Sequence, residues 1–371
     1  MAGRKKRVWF ILGLSLLPLT FVLQELAFRY PETTESVYGR WIYPKIAFLL
    51  SRVNTLASFS LAEAISALCV IFALIWMMRA ILKIRQGKHA TLFQRLLRTA
   101  ATIWIVAGAA AATFLFLWGF NYARPSLAER LELSVTDVEA KEVLLAGTLS
   151  MEMASSLHAA LDSPPDRPTT LPIDFATLNE VIDRRLRTIA LPENSIQYPT
   201  SPVKKLFSSR ALCYMGISGI FVPFTGEPSM NALVPDVTVP LVVAHEKAHQ
   251  RGITNEGEAN LAAFLACAGA NDYPYLRYSA YLISAARLIG AASVYLPEEA
   301  RTLSKLLPAG PRRDLDGVRE FWDRYEGPLT KMAERANDTY LRSQRVPDGV
   351  ESYGQVTRLL VALHRQGKFI Q

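Results

Sequence analysis

Residues 239–264 read Val-Pro-Leu-Val-Val-Ala-His-Glu-Lys-Ala-His-Gln-Arg-Gly-Ile-Thr-Asn-Glu-Gly-Glu-Ala-Asn-Leu-Ala-Ala-Phe and contain the pattern H-E-x-x-H at His245, Glu246 and His249. Residues four apart share one face of a helix, so both imidazoles are able to reach one metal ion. Glu246 projects from a neighbouring part of the helix, where it can hydrogen-bond a metal-bound water instead of the metal. The stretch therefore predicts a zinc hydrolase site with two His ligands and a glutamate as general base.

The third metal ligand is expected just after this helix. Gly252 is typical of a helix end because glycine tolerates the left-handed conformation, and Thr254 is the candidate N-cap of a second helix. Glu256, at the start of that helix, is the predicted third ligand and completes a two-His-plus-Glu set. Glu258 is the alternative, since it follows only two residues later. Asn260, one turn further on, is a candidate to hydrogen-bond the outer ring nitrogen of a ligand His.

The choice of Glu256 also rests on a comparison of spacings. The metalloprotease pattern H-E-x-x-H-x-x-G-x-x-H matches through Gly252 but meets Asn255 where the third His would stand. Asn is a poor zinc ligand, because its neutral amide oxygen competes badly with a carboxylate. A carboxylate at position 256 offsets the charge of the ion and suits the helix dipole. Glu256 and Glu258 are about 200° apart around a helix, so both cannot face one ion without distortion.

An amphipathic surface helix with solvated His and Glu is the alternative explanation of the motif. The apolar run Leu241–Ala244 precedes the first His directly. Such a run predicts a buried helix, and buried His and Glu side chains need partners.

Three strings around the motif resemble an uncharacterised bacterial family, domain of unknown function 3810. They are Gly-Ile-Ser-Gly-Ile-Phe-Val-Pro-Phe-Thr-Gly-Glu-Pro at 216–228, His-Glu-Lys-Ala-His-Gln-Arg-Gly at 245–252 and Glu-Gly-Glu-Ala-Asn at 256–260. The resemblance extends to the apolar N-terminal region and to Ser-Tyr-Gly at 352–354. Members of this family are similar to membrane-anchored zincin-type metallopeptidases with two His and one Glu. The resemblance implies architecture more than chemistry, because the family's activity is itself inferred from the motif.

The composition indicates a protein associated with a membrane. Half of the 371 residues are hydrophobic, 20% are charged, and the formal net charge is +8. Basic residues crowd next to apolar runs, as expected at a membrane surface, so we expect no nucleic-acid partner. Of the three cysteines, Cys69 lies in an apolar run, and Cys213 and Cys267 are candidates for a disulfide if their domain faces an oxidising space.

Three apolar runs predict transmembrane helices at about 8–28, 61–82 and 99–119. A cleaved signal peptide is the alternative for the first run, but no small-x-small cleavage site stands out. A soluble protein with three buried helices is the alternative for all of them, although a core helix rarely runs about 20 residues without a charge. Residues 29–59 are expected to form a loop on the membrane surface.

The distribution of basic residues predicts the orientation in the membrane. Residues 4–7 are Arg-Lys-Lys-Arg, and residues 79–98 carry six basic side chains and no acidic one. By the positive-inside rule both segments are cytoplasmic. Three crossings then place residues 125 onward outside the cytoplasm.

Residues 125–371 are predicted to form a mainly helical domain with a small β-sheet. Helical patterns cover 135–161, 174–190, 313–345 and 350–366, and the strand candidates are Lys205–Ser208 and Ile217–Phe224. In zincins a strand beside the active-site helix pairs with the substrate backbone, and Ile217–Phe224 is the candidate by position, with a plain core strand as the alternative. Four tyrosines are candidates either for an oxyanion donor or, as the base rate favours, for packing: Tyr273, Tyr275, Tyr278 and Tyr281.

The expected protein is a mainly α membrane protein, with three N-terminal transmembrane helices in residues 1–124 followed by a zincin-like metallopeptidase domain. The expected activity is zinc-dependent hydrolysis of peptide bonds outside the cytoplasmic membrane, with the lipid bilayer and a peptide or protein substrate as partners. Two alternatives stay open. One is a non-catalytic, metal-stabilised membrane sensor or assembly protein, and the other is a zinc amidase that acts on cell-wall links.

Overall fold

The computed structural model describes residues 2–85, 92–161, 163–190, 200–344 and 352–369. The N-terminal part is helical: α1 (Ala2–Arg29), α2 (Pro31–Thr33), a π-helical segment (Thr34–Ile42), α3 (Tyr43–Thr55), α4 (Leu61–Arg85), α5 (Leu92–Leu117) and a 3-10 turn (Gly119–Ala123). The remainder contains short helices and three strands up to residue 238: α6 (Leu127–Arg130), α7 (Ala140–Ala159), α8 (Phe175–Ala190), β1 (Lys204–Leu206), α9 (Ser209–Tyr214), β2 (Gly219–Val222), β3 (Glu227–Asn231) and a 3-10 turn (Asp236–Thr238). It then continues as helices only: α10 (Val239–Gln250), α11 (Glu256–Ala268), α12 (Pro274–Ala292), α13 (Pro297–Lys305), α14 (Ala309–Asp323), α15 (Pro328–Ser343) and α16 (Ser352–Arg365). The prediction of a mainly helical protein with a small sheet is confirmed.

Helix α11 lies at the centre of the largest hydrophobic core cluster of the described residues. Apart from Glu256 and Asn260, all of its residues are buried. A helix that is apolar around its whole circumference must be enclosed on all sides, and α11 packs against α8, α10, α12 and α16. Its alanines allow these neighbours to approach closely. The first residue of α11 therefore stands on a rigid support.

The sheet has the strand order β1-β3-β2, with β3 parallel to β1 and antiparallel to β2. Strands β1 and β2 fall on the two predicted strand candidates. The central strand, β3, was not predicted, because its sequence Glu-Pro-Ser-Met-Asn is mostly polar, although all five residues are buried. Its first residue, Glu227, accepts hydrogen bonds from the Ser60 hydroxyl and from the Leu61 N–H (2.9 Å) and pairs with the Lys204 ammonium at 3.1 Å. The sheet is thereby attached to the first residue of α4.

Two of the described helices are long and apolar enough to cross a membrane, at Leu61–Arg79 of α4 and Leu97–Leu117 of α5. They correspond to the second and third predicted spans. Helix α1 covers the first predicted span, at 8–28, and a crossing by α1 stays a prediction. It packs along α5, where a Cβ on Gly108 would lie 3.0 Å from the Leu17 backbone nitrogen and the Trp104 indole donates to the Leu14 carbonyl at 3.0 Å. The missing side chain at Gly108 allows this close contact between the two helices.

The expectation of a loop at residues 29–59 is wrong, because most of this segment is helical, and its position on a membrane surface stays a prediction. The segment buries Tyr38 and Tyr43 against the end of α5, and the Tyr38 hydroxyl donates to the Phe116 carbonyl at 2.9 Å. Its other side keeps Trp41 and Leu49 exposed. Long-range packing of two aromatic side chains, invisible in local sequence patterns, thus gives the segment its helical form.

Candidate metal centre and active site

Helix α10, which carries the motif, is enclosed in the domain. Pro240 occupies its first turn. Amide N–H groups in the first turn have no acceptor within the helix, so proline, which lacks this group, costs no hydrogen bond there. Val243 and Ala248 are completely buried. Lys247 is buried as well, and its ammonium pairs with the Asp183 carboxylate at 2.9 Å while burial lowers the pKa of Lys247 to about 8. These contacts exclude the alternative of a solvated surface helix.

The turn after α10 has the left-handed residue that the sequence predicts. Gly252 has a φ of +80°, and the N–H of the next residue, Ile253, donates to the Ala248 carbonyl at 3.2 Å. A Cβ on Gly252 would lie 2.7 Å from Asn121 Oδ1 and 2.9 Å from Arg124 Nη1. Both the backbone conformation and the lack of space therefore require glycine here.

Asn255, and not Thr254 as expected, is the N-cap of α11. The Asn255 side-chain oxygen accepts the N–H of Glu258 at 3.0 Å. The cap lies one residue later than predicted because the turn at Gly252 uses the intervening residues to reverse the chain. Glu256 consequently becomes the first residue of the new helix and points back towards α10.

The two imidazoles and the Glu256 carboxylate converge on one point. His245 Nε2 lies 3.0 Å from His249 Nε2 and 3.1 Å from Glu256 Oε2, and His249 Nε2 lies 3.7 Å from Glu256 Oε1. One donor atom from each residue falls within 4.8 Å of the others. A two-His-plus-carboxylate set of this kind is able to hold a zinc ion and to leave a fourth position open.

The hydrogen bond on the other ring nitrogen sets the tautomer of His249. Its Nδ1 lies 2.7 Å from the Ile253 carbonyl oxygen, which can only accept, so Nδ1 carries a proton and Nε2 is the ring nitrogen that faces the cluster. Asn260, expected to hold a ligand imidazole, instead donates to the Glu256 carbonyl at 2.8 Å. The Ile253 carbonyl already accepts the hydrogen bond of the outer ring nitrogen of His249. The Asn260 side chain therefore bonds to the first turn of α11, which carries Glu256.

Glu258 lies away from the imidazoles. Its carboxylate is buried and accepts the N–H of Ala128, at the start of α6, at 3.2 Å. The structure thus brings Glu256, and not Glu258, to the two His side chains.

Glu246 is buried beneath strand β2. A Cβ placed on Gly219 would lie 2.8 Å from the Glu246 Cγ, so only glycine lets the strand pass this close. Among the described residues, Glu246 Oε2 is buried without a hydrogen-bond partner. Burial raises the pKa of Glu246 to about 7, close to the value at which a general base works best in neutral solution.

The charges of the three converging donors stabilise one another. Burial alone would lower the pKa of His249, but the facing Glu256 carboxylate outweighs burial and raises it to about 9. Burial also opposes ionisation of Glu256, yet the two imidazoles hold the pKa of this carboxyl well below its usual range. The cluster therefore favours positive charge beside an ionised carboxylate, as a bound cation requires.

Two aromatic side chains from the N-terminal part cap the end of α10. The Trp118 indole N–H donates to the His249 carbonyl at 3.2 Å, and the Tyr43 hydroxyl donates to the Gln250 carbonyl at 2.8 Å. Carbonyls in the last turn of a helix have no intrahelical donor. The Tyr43 hydroxyl supplies a donor to the Gln250 carbonyl, while the His249 carbonyl also accepts the N–H of Gly252 at 2.9 Å. The Trp118 ring also stands edge-on to the His249 imidazole, with 6.2 Å between centroids.

Sequence reasoning missed this aromatic surround, which also includes Tyr122 and Tyr340. Their hydroxyls lie 3.0 Å apart, and the Tyr122 ring packs edge-on against Trp118. No spacing rule links residues 43, 118, 122 and 340 to the motif. The one available signal was the position of Trp118 at the end of an apolar run, where aromatic residues collect at membrane surfaces.

Two other sets of residues singled out from the sequence lie elsewhere. Tyr275, Tyr278 and Tyr281 are buried in the hydrophobic core, in agreement with the packing alternative. The disulfide considered for Cys213 and Cys267 is not formed. Cys213 is buried in α9 and Cys267 in α11, and both thiols are free. The thiol of Cys213 lies against the Asn231 amide at 3.1 Å.

A family model described as "Protein of unknown function (DUF3810)" matches residues 38–361. The matched range contains α4, α5, the sheet, and both helices that carry the converging donors, and it begins after α1. No curated protein and no solved structure matches the chain.

The geometry predicts how two neighbouring glutamates differ in metal binding. We expect Glu256→Gln to lose zinc about as severely as His249→Ala, because each change removes one of three donors. Glu258→Gln, the matched control, keeps its shape and its contact to α6 and is expected to retain most of the zinc. Metal analysis of the three purified variants measures this. If Glu256→Gln retained zinc and Glu258→Gln lost it, Glu258 would be the third ligand.

The turn at Gly252 gives a second prediction. An alanine there would adopt a left-handed conformation and crowd Asn121, so Gly252→Ala is expected to cost about 1–3 kcal/mol of stability. Gly290→Ala is the control: nothing lies within 4 Å of a Cβ at this helical position, and it is expected to be neutral or to stabilise by up to about 1 kcal/mol. Thermal unfolding in detergent compares them, and an unchanged melting temperature for the position 252 variant would contradict the reasoning.

Proposed function

The chain belongs to the family described as Protein of unknown function (DUF3810), as its sequence led us to expect, and because that description states no activity we propose from the site itself that the protein is a membrane-anchored zinc metallopeptidase. The observation that carries the proposal is the convergence of His245, His249 and Glu256 beside the buried carboxylate of Glu246.

The donor set fits zinc in three respects. It combines imidazole nitrogen with carboxylate oxygen, which are common zinc ligands. The bond from His249 Nδ1 to the Ile253 carbonyl orients the ring and leaves Nε2 free to bind, as in other zinc sites. Glu246 Oε2, buried and without a partner among the described residues, supplies an acceptor next to the three donors.

The proposed chemistry is the hydrolysis of a peptide bond. A zinc ion at this site would lower the pKa of a water molecule and polarise the scissile carbonyl. Glu246 would accept a proton from the attacking water and then deliver it to the nitrogen of the leaving amine. Its pKa, raised to about 7, suits both halves of this transfer near neutral pH.

Strand β2 is the proposed support for the substrate backbone. It pairs with β3 along one side, and no other described strand occupies its second side. Gly219 at its start lies over Glu246, so an extended peptide paired with β2 would pass close to the general base.

The proposed location is the cell membrane, with the domain outside the cytoplasm. The support comes from the two long apolar helices, whose outward surfaces are unusually apolar for a folded chain, and from the basic residues at 79–98. The lipid bilayer and a peptide or protein substrate are accordingly the proposed partners.

The test of catalysis is Glu246→Gln. We expect this variant to bind zinc like the wild type, because the position is not a ligand, and to lose about 10²–10⁴-fold in hydrolysis rate because it lacks the base. The assay combines metal analysis with cleavage of a broad library of peptides and cell-wall fragments, and Glu258→Gln serves as the active control.

Each outcome of this assay separates the alternatives. If the wild type bound zinc but cleaved no member of the library, the protein would be a metal-stabilised sensor or assembly protein and not a peptidase. Cleavage confined to cell-wall fragments would replace it by an amidase. Full activity of the Glu246 variant would remove the proposed general base.

The topology gives a separate prediction. A reporter enzyme that works only outside the cytoplasm, fused after Gln371, is expected to be active, since the proposed crossing by α1 and the two by α4 and α5 would make three from a cytoplasmic N-terminus. The matched fusion after residue 88, within the basic segment, is expected to be inactive. Activity of a cytoplasm-only reporter at the C-terminus would overturn the orientation.

A further inference from the structure

We propose that the site acts on membrane-anchored polypeptides, and that it cuts the extended segment which leaves the bilayer next to a transmembrane helix. This inference rests on the proposed peptidase function and names its class of substrate. It follows from where the two apolar helices meet the site.

The end of α5 lies against the metal helix. The apolar run Leu97–Leu117 ends one residue before Trp118, whose indole N–H binds the His249 carbonyl. A tryptophan directly after an apolar run is typical of the boundary between lipid tails and headgroups. The metal-binding turn of α10 is therefore within one side chain of that boundary.

The start of α4 is fixed to the sheet at the same level. The Leu61 N–H binds Glu227 of β3, and Glu63 accepts the N–H groups of Phe207 (3.0 Å) and Ser208 (2.8 Å), directly after β1. Helix α4 begins at the domain and α5 returns to it, so both apolar helices leave the same face of the domain. That face also carries the sheet beside the site.

The free side of β2 connects the general base to this boundary. Gly219 lies over Glu246, and Phe221 packs on Trp118 with 5.4 Å between ring centroids. Phe224, just beyond the strand, contacts the ring of Phe114 in α5 at 6.4 Å. Strand β2 ends at Val222, about 10 Å of extended chain from Gly219, and Phe224 lies in the turn that follows directly. A substrate paired with β2 would thus reach the bilayer within about five residues of the bond that is cut.

Exposed apolar side chains cluster around the same boundary. Leu56 and Phe207 are each 87% exposed, and Phe59 and Phe224 are about half exposed. In α3, the Arg52 guanidinium lies over the Phe48 ring at 5.5 Å, which places a basic group beside an apolar one, as on helices that lie in a membrane surface. The lipid surface is the occupant that fits these residues, since Leu56 and Phe59 directly precede α4 in the chain and the Phe207 N–H binds Glu63 in its first turn.

The first experiment measures how deeply position 207 lies in the bilayer, and it does not depend on enzymatic activity. Phe207→Cys and, as the matched control, Tyr295→Cys (76% exposed, at the end of α12) are made in a Cys69→Ala background, where the remaining cysteines are buried. Both are labelled with an environment-sensitive fluorophore and reconstituted into phosphatidylcholine vesicles that contain brominated lipid. We expect quenching at position 207 to exceed that at position 295 at least twofold. Equal quenching would overturn the placement of the site at the bilayer.

The second experiment tests the substrate class with wild-type protein and Glu246→Gln in the same vesicles. A randomised 12-residue segment is presented in three forms: directly after a single transmembrane helix, after that helix and a 20-residue Gly-Ser linker, and as a free peptide. We expect the directly attached form to be cut at least about tenfold faster than the other two, because the bilayer holds it at the site. Equal or faster cleavage of the free or distant form would overturn this inference and leave the peptidase function standing. Absence of cleavage in all three forms, with quenching at position 207 intact, would remove the peptidase function and the substrate class with it.

Discussion

The candidate site depends on one chain reversal. Gly252, in the left-handed conformation, ends α10 and returns the chain so that Glu256 begins α11 opposite the two imidazoles. Asn121 and Arg124 leave no room for a side chain at the turn. Because α11 is enclosed by four other helices, the carboxylate at its first position has little freedom to move away. The cost of bringing three polar groups out of water is met by their mutual attraction, which holds the pKa of Glu256 low and raises that of His249.

A second constraint joins this site to the N-terminal part of the chain. The last carbonyls of α10, at His249 and Gln250, take their hydrogen bonds from Trp118 and Tyr43. A buried carbonyl without a donor is costly, so the end of α10 at Gln250 depends on the Tyr43 hydroxyl, and the Trp118 indole adds a second donor to the His249 carbonyl beside the Gly252 N–H. The buried Glu227 carboxylate makes the equivalent connection at the sheet, where it accepts hydrogen bonds from the Ser60 hydroxyl and the Leu61 N–H. The N-terminal helices and the candidate site are consequently parts of one packed structure.

The features that sequence reasoning captured have short-range causes. Helix α10, its end at Gly252 and the immediate start of α11 follow from spacing of three to seven residues and from the conformational needs of a turn. The two apolar helices α4 and α5 follow from hydropathy along about 20 residues. The cap of α11 was misplaced by one residue, since Thr254 and Asn255 both suit an N-cap and only the geometry of the turn separates them. Glu256, preferred over Glu258 from helix angles, is the carboxylate that lies at the two imidazoles, and its role as a metal ligand stays a prediction.

Other features lie beyond local patterns because their causes are distant in the chain. Strand β3 is polar by composition, and it is buried because Lys204, Ser60 and Leu61 supply partners for Glu227 from elsewhere. Residues 29–59 have a loop-like composition and become helical through packing against α5. The aromatic residues around the site come from three separate segments and carry no shared spacing. The sequence alone was thus sufficient to identify the three groups that converge from α10 and α11, since one short turn connects these helices. The residues that surround these donors were identifiable only in the folded chain, because contacts between segments far apart in sequence place them there.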